Sequence, residues 1–349
     1  MMNIENIYLD NIDDLDSALN VPNWNDINTL WGVGPAAPLH LGYDSLIILQ
    51  RKILKRKPHR HFLIMADMHA ILSHKFSWQD IRQRCYYYEH YFREICHLKN
   101  CDYVLGSYFQ TRADYIEELY SSMGQTSLTA VRETLPTSTK KNQMIPASVV
   151  IYSLMQCFDI FHLKANLVIA EQGQEKIYDL CKNFDQYKIA RLGMETKLKA
   201  TKGRLTFLYI PTSHDIEGKP LNESSASTRI SIHDNKETLE KKINKMYAPP
   251  HDQPVMSGRV NAILEFFKYS VFPWLNEPVN IQDNENNTIP YAKYEDLEQN
   301  YSQGLHTPQA LKSALKLYLW QRLSNIQDGL SKGIDSWIDK TKLNSNNGK

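Results

Sequence analysis

The stretch "HFLIMADMHAIL", residues 61–72, is a short unbroken apolar run that closes on Asp67 and His69. A strand covered on both faces reads this way, whereas a strand with one wet face alternates apolar and polar residues. The run predicts a buried parallel strand with polar residues at its carboxyl end, where ligands of open α/β sheets collect. "DYVLGSYFQ" (residues 102–110) reads as a second strand running into a Gly-Ser turn. "NLVIAEQG" (166–173) and "RLTFLYIP" (204–211) read as two more. Helical periodicity separates these runs: Leu46, Leu49, Ile53 and Leu54 recur at helical spacing in "DSLIILQRKILKR", and residues 77–98 and 174–184 follow the same period. The alternation predicts an α/β fold built on a doubly wound parallel sheet. Residues 1–29 read as short helical or loop material, and 113–163 as a mostly helical insert.

The chain has 349 residues, 42% of them apolar, enough for a sizeable core. Its 40 basic and 39 acidic side chains leave a net charge of +1. That balance gives no global attraction to DNA or to a membrane, so any nucleic-acid contact must rest on a local patch. Cys85, Cys96, Cys101, Cys157 and Cys181 form no CxxC pair and have no His partner at finger spacing, so reduced thiols and no metal site are expected. The acidic opening "MMNIENIYLDNIDDLD" is not a secretory signal, and no apolar run approaches the ~18–20 residues of a membrane span. These features together point to a cytoplasmic protein. Pro249, Pro250 and Pro254 in "YAPPHDQPV" interrupt any helix there. They divide residues 1–248 from a helical part at 255–340, in which Pro308 occupies the first turn of a long helix.

Two groups of residues carry chemistry. In "WGVGPAAPLHLGYD" (31–44), a Gly/Pro-rich turn feeds a helix start, whose free N–H groups and positive dipole end suit a phosphate. A plain strand-to-helix turn with a half-buried His40 reads equally well from these residues alone. Farther on, Tyr152 and Gln156 lie four apart on one helix face, and Gln174 follows a strand end. Asp159 sits in the apolar "MQCFDIFHL", which points it inward rather than to solvent.

Six stretches, in order, resemble the class I aminoacyl-tRNA synthetases for tyrosine and tryptophan. "GPAAPLHLGY" is similar to their HIGH region, and "FLIMADMHAIL" to the strand after it. "YVLGSYFQ" and "YSLMQCFDIFHLKANLVIAEQGQEKI" resemble the amino-acid pocket, and residues 218–250 the KMSKS loop with its helix. "VMSGRVNAILEFFKYSVFPWL" and "YEDLEQNYSQGLHTPQALKSAL" resemble the helical anticodon-recognition domain of archaeal and eukaryotic tyrosyl enzymes. The resemblance runs from about residue 28 to about residue 330. It implies a Rossmann-like, HUP-type nucleotide-binding domain (1–248, helical insert at about 113–150) and an anticodon-binding-like domain (255–340).

The implied activity is ATP- and Mg²⁺-dependent activation of tyrosine or a close analogue as an adenylate, followed by transfer to tRNA. The resemblance makes His40 and Lys219 catalytic, and gives ATP to Gly32, Gly34, His40, Gly42, Tyr43, Ser224 and Ser225. It gives the amino acid to Leu30, Asp67, Tyr152, Gln156, Asp159 and Gln174, with Tyr152, Gln156 and Gln174 on the α-ammonium and Asp159 on the phenol. It also implies a homodimer through the insert, where Tyr120, Met123, Leu128 and Val131 look exposed.

The chain departs from the pattern at named positions. Tyr43 replaces the second His of HIGH, Leu30 replaces a phenol-binding Tyr, and Gly34 replaces an acidic residue. One alignment of the KMSKS loop starts at Lys219; another matches "SSAS" to the tryptophanyl "MSAS" and puts Glu223 at the lysine. Lys219 and Arg229 are then the cations this loop offers. On the tRNA side, Arg132 is offset by Glu133, and Thr307 and Ala310 stand where an anticodon-reading His and Asp are found. Fewer cations imply weakened, salt-sensitive tRNA binding. Three readings follow: a tyrosine–tRNA ligase, a synthetase-like paralogue with a non-tRNA acceptor, or a non-catalytic amino-acid-binding relative.

Overall fold

Among the described residues, six parallel strands carry the first of two compact units. They are β1 (Asn3–Tyr8), β2 (Asn28–Val33), β3 (Arg60–Met65), β4 (Asp102–Leu105), β5 (Leu167–Glu171) and β6 (Arg204–Ile210). The structure is a computed structural model that describes residues 3–9, 15–19, 21, 23–73, 76–124, 126–135, 146–183, 204–221 and 225–333. The first unit takes in the described residues up to Ala37 together with Gln50–Pro211.

The strand order β1-β6-β5-β2-β3-β4 is that of a doubly wound sheet, as the alternation of strands and helices predicts. The chain runs outward from β2 through β3 to β4, then returns to the other side of β2 at β5. The β2–β5 boundary is therefore the topological switch point, where the ends of neighbouring strands diverge and leave a crevice. Leu30 of β2 lies opposite Phe62 of β3 and Val168 of β5. These residues join Ile64, Phe158, Phe161, Tyr115 and Phe207 in one buried core.

Several details differ from the sequence reading, among them β2, whose Asn28 and Thr29 fall in the 1–29 segment read as helix or loop. Residues 3–8 are a strand, not loop or helix: among the described residues β1 pairs only with β6, in the register Ile4↔Leu205 and Ile7↔Leu208. An edge strand buries little, so its sequence alternates with polar residues and lacks the continuous apolar signal. Gly106–Ser107 is not a turn but the start of a helix (Gly106–Gln110), entered directly from β4. Val131 is buried at 2% exposure within the core, whereas Tyr120 and Leu128 stand 65% and 72% exposed.

The second unit comprises Pro38–Leu49 and the described residues from Thr212 on. Its helices are Lys236–Asn244, Ala262–Phe266, Tyr294–Ser302 and Pro308–Gly333. In the last, Leu311, Leu315, Leu319, Leu323, Ile326 and Leu330 are buried, a stripe at helical spacing. Thr307 Oγ accepts from the Ala310 N–H at 3.1 Å and so caps this helix. A hairpin, β7 (Val279–Gln282) and β8 (Thr288–Tyr291), interrupts the helices. Helical periodicity in the flanking segments did not announce it. No helix among the described residues is long and apolar enough to cross a membrane.

Candidate active site

In the first unit, the helix Ala147–His162 presents two polar groups on one face. Gln156 Nε2 donates to Gln174 Oε1 at 3.2 Å and to the Tyr178 hydroxyl at 3.1 Å. Gln174 follows β5, at the carboxyl end of a strand that borders the switch point. The Gln156 Oε1 atom is buried and has no partner among the described residues. A lone buried acceptor beside another amide carbonyl suits a ligand that brings N–H donors, such as an ammonium group. One turn earlier, Tyr152 packs edge-on against His69, with ring centroids 4.7 Å apart. Burial pushes the His69 imidazole down to about 4, so it is neutral in the physiological range.

Asp159, on the same helix, is buried at 3% exposure. Its carboxylate accepts from Gln110 Nε2 at 2.8 Å to each oxygen, and from the Tyr115 hydroxyl at 2.7 Å. Burial pushes this carboxyl up to about 7 against the pull of the hydrogen bonds from Gln110 and Tyr115. Leu30 contributes only apolar surface to the same core. Asp67 plays a structural part: Oδ1 accepts from the Met68 and Ser107 N–H groups at 2.9 and 2.8 Å. Oδ2 accepts from Ser107 Oγ, so Asp67 closes the start of the 106–110 helix. The sequence reading did not single out Gln110, Tyr115 or Tyr178. Gln110 ends the quoted "YVLGSYFQ", but nothing local marks the other two.

The glycines at the end of β2 are open. A Cβ at Gly32 or Gly34 would meet nothing within 4 Å, so the chain's own packing does not demand glycine at either place.

In the second unit, residues 39–41 and 230–232 are laced together by main-chain bonds. Leu41 N donates to Ile230 O at 3.0 Å, and Ile232 N to Leu39 O at 3.1 Å, around an antiparallel bridge between His40 and Ser231. A short helical turn, Leu41–Tyr43, follows and leads into the helix Asp44–Lys55. His40 stacks on Tyr43 at 4.7 Å, and its Nδ1 has no hydrogen-bond partner among the described residues. Burial first, and the Arg229 charge second, push His40 down to about 3. The imidazole is therefore a neutral N–H donor, and the positive charge beside it belongs to Arg229. Arg229 donates to Leu221 O at 3.0 Å. Lys219 instead sits in a tight turn with its amine on Glu217, at 2.7 Å. Ser225 bonds Ser227 at 2.7 Å on the surface; Ser224 and Glu223 lie outside the described residues.

Gly42 contrasts with Gly32 and Gly34. A Cβ there would collide with Leu221 Cδ1 and come within 2.8 Å of His40 Nδ1. Gly42→Ala should therefore lower stability by ~1–3 kcal/mol, the usual cost of overpacking, while Gly34→Ala should melt like the parent chain. Thermal unfolding of the two variants checks the contrast; equal melting would remove Leu221 from contact with Gly42.

A doubly wound parallel sheet, with an amide pair beyond the end of β5 and a buried carboxyl on the helix Ala147–His162, defines an α/β protein. The model of the tRNA synthetases class I (W and Y) matches residues 23–324, and the chain belongs to this family. Among its relatives, the tyrosine–tRNA ligase of Methanopyrus kandleri is 28% identical over 303 residues, 86% of this chain and 88% of that one. The ligase of Archaeoglobus fulgidus is 27% identical over 307 residues, 87% and 88% of the two chains. The crystal structure of tyrosyl-tRNA synthetase from Archaeoglobus fulgidus complexed with L-tyrosine aligns with a TM-score of 0.73 at 25% identity, over 87% of this chain and 90% of that one. A tryptophanyl-tRNA synthetase from Campylobacter jejuni shares the fold, with a TM-score of 0.55 at 14% identity over 92% and 93% of the chains.

Proposed function

We propose that this chain activates tyrosine with ATP and transfers it to tRNA. The observation that carries the reading is the helix Ala147–His162, which holds Gln156 against Gln174 from beyond the end of β5 and carries a buried carboxyl at Asp159. A tyrosine molecule supplies the complement: an ammonium with three donors at one end and a phenolic O–H at the other. The named relatives are tyrosine–tRNA ligases, and the Archaeoglobus fulgidus structure contains L-tyrosine.

In this reading a tyrosine carboxylate oxygen attacks the α-phosphorus of ATP. The bond to pyrophosphate breaks, and tyrosyl-adenylate forms. A tRNA terminal hydroxyl then attacks the activated carbonyl and AMP leaves. Tyr152, Gln156 and Gln174 hold the ammonium, while Asp159 takes the phenol; Leu30 and Asp67 shape the pocket from within the core. Gly32, Gly34, Gly42, Tyr43, Ser224 and Ser225 leave room for or touch ATP. His40 donates to the α-phosphate as negative charge develops there. Arg229, whose charge acts on His40, supplies the cation together with Lys219. No three His, Cys, Asp or Glu side chains among the described residues converge to hold a metal. Mg²⁺ enters as an ion carried on the ATP phosphates, its common mode of binding.

Residues 1–248 form the catalytic part and 255–340 the anticodon-binding-like part, of which 334–340 lie outside the described residues. The protein works in the cytoplasm as a homodimer joined through the insert at about 113–150, where Tyr120 and Leu128 are exposed. With Thr307 committed to capping its helix, tRNA contact there is weakened.

ATP–pyrophosphate exchange with a panel of aromatic amino acids tests the reading. Tyrosine should give the highest kcat/KM, and phenylalanine should be poorer by ~10–150-fold, the worth of one hydrogen bond to a charged group. No exchange with any aromatic amino acid would overturn the proposal. Exchange without charging of tRNA would restrict it to the activation step.

A further inference from the structure

A buried ion pair in the second unit belongs to neither cluster. Arg322, midway along the Pro308–Gly333 helix, grips Asp44 with both terminal nitrogens: Nη2 donates to Oδ1 at 2.6 Å, and Nη1 to Oδ2. Nη1 also donates to Ser270 O at 2.8 Å, and Ser270 Oγ donates to the same carboxylate at 2.6 Å. The guanidinium lies over the Trp274 ring, 3.9 Å from its centroid. Asp44 is fully buried and Arg322 nearly so.

Ion pairs this deep are poor devices for stability, because apolar side chains of similar volume serve as well or better. What a bidentate Arg–carboxylate fork supplies is geometry. Asp44 is the residue directly after "HLGY", and its N–H donates to Leu41 O, closing the short turn Leu41–Tyr43. That turn carries Gly42 and Tyr43 and begins at His40. A shift of Asp44 would carry the whole turn with it.

We propose that Arg322 is a positioning residue for ATP: through Asp44 it sets the turn that faces the nucleotide. This inference rests on the reading of that turn as ATP-binding. Its readout is KM for ATP against KM for tyrosine, because the tyrosine-binding residues lie in the other unit.

The test is ATP–pyrophosphate exchange by the full chain carrying Arg322→Lys, which keeps the charge but loses the fork, and by the double variant Asp44→Leu/Arg322→Met, which removes the pair without stranding a charge. Thermal melting of each is followed in parallel. Both variants should raise KM for ATP about 10–100-fold, the cost of an ångström-scale misplacement, with KM for tyrosine unchanged. A folded double variant with parental KM for ATP overturns the inference, as does loss of folding in both variants, which would assign the pair to stability alone. Should the parent chain show no exchange, the functional reading has failed. Binding of ATP by equilibrium dialysis then decides: weaker binding in Arg322→Lys supports the inference, and equal binding or none overturns it.

Discussion

Replacing His40 by alanine should slow ATP–pyrophosphate exchange about 10²–10³-fold, the usual effect of deleting one donor aimed at developing charge. The fold should survive the change, because His40 is held by its main chain: the bridge to Ser231 and the bonds of its neighbours to Ile230 and Ile232 need no imidazole. The side chain instead offers a ring nitrogen without a partner among the described residues. Since burial and Arg229 hold this imidazole down to about 3, the donor is neutral at every working pH. The exchange rate should therefore show no inflection near 6.5 that belongs to His40. A step there that vanishes in His40→Ala would contradict the assignment, and so would an alanine variant with parental exchange.

The second large effect concerns Asp159 and pH. Its carboxyl stays protonated up to about 7 in the folded chain, against an ordinary value of 3.8. Between those limits the native state binds more protons than the unfolded state. Raising the pH through this window therefore removes stability, by ~1.4 kcal/mol per pH unit. The contribution is complete below 3.8 and lost as the pH rises through 7.

The buried histidines act in the opposite sense. His40 is pushed down to about 3, and His61 and His69 to about 4. The unfolded chain takes up their protons first, so stability rises with pH up to about 6.5 and is flat above it. Comparison of the parent with Asp159→Asn isolates the carboxyl. Urea unfolding at pH 5, 6, 7 and 8 should show the parent's advantage over the variant shrinking up to about pH 7 and then levelling. A pH-independent difference would show that the carboxyl is ionised throughout. The same variant should bring tyrosine and phenylalanine closer in exchange, because an amide accepts from the substrate phenol less strongly than a carboxylate.

Sequence reading found β3, β5 and β6, and also the edge strand β4, but passed over the central β2, whose buried Asn28 and Thr29 break its apolar run. β3, β5 and β6 are continuous apolar runs because each has neighbours on both sides and core above and below. β1 has one neighbour and only partly buried isoleucines, so its six residues carried no such signal. The 279–291 hairpin was hidden for a related reason, with strands of four residues each. Helical spacing puts Tyr152, Gln156 and Asp159 on one face, but their part in a pocket was legible only through the resemblance to the synthetase family. Gln110 and Tyr115 were not legible, because they reach Asp159 across 49 and 44 residues of chain. Local pattern does not report such meetings. The neutrality of His40 was likewise invisible, since it follows from burial and from Arg229 beside it rather than from its own segment.

The lacing of residues 39–41 to 230–232 makes chain length, more than residue identity, the quantity to be preserved in the loop before Ile230. Ile230 and Ile232 are buried while Ser231 between them is less so, the alternation of a paired strand. Main-chain pairing tolerates many side chains but not a change of phase. One residue gained or lost next to the bridge would exchange the inward and outward positions and present both isoleucines to solvent. Insertions of any even or odd size are thus not equivalent here, and sequence drift in this loop should run through substitution before it runs through indels.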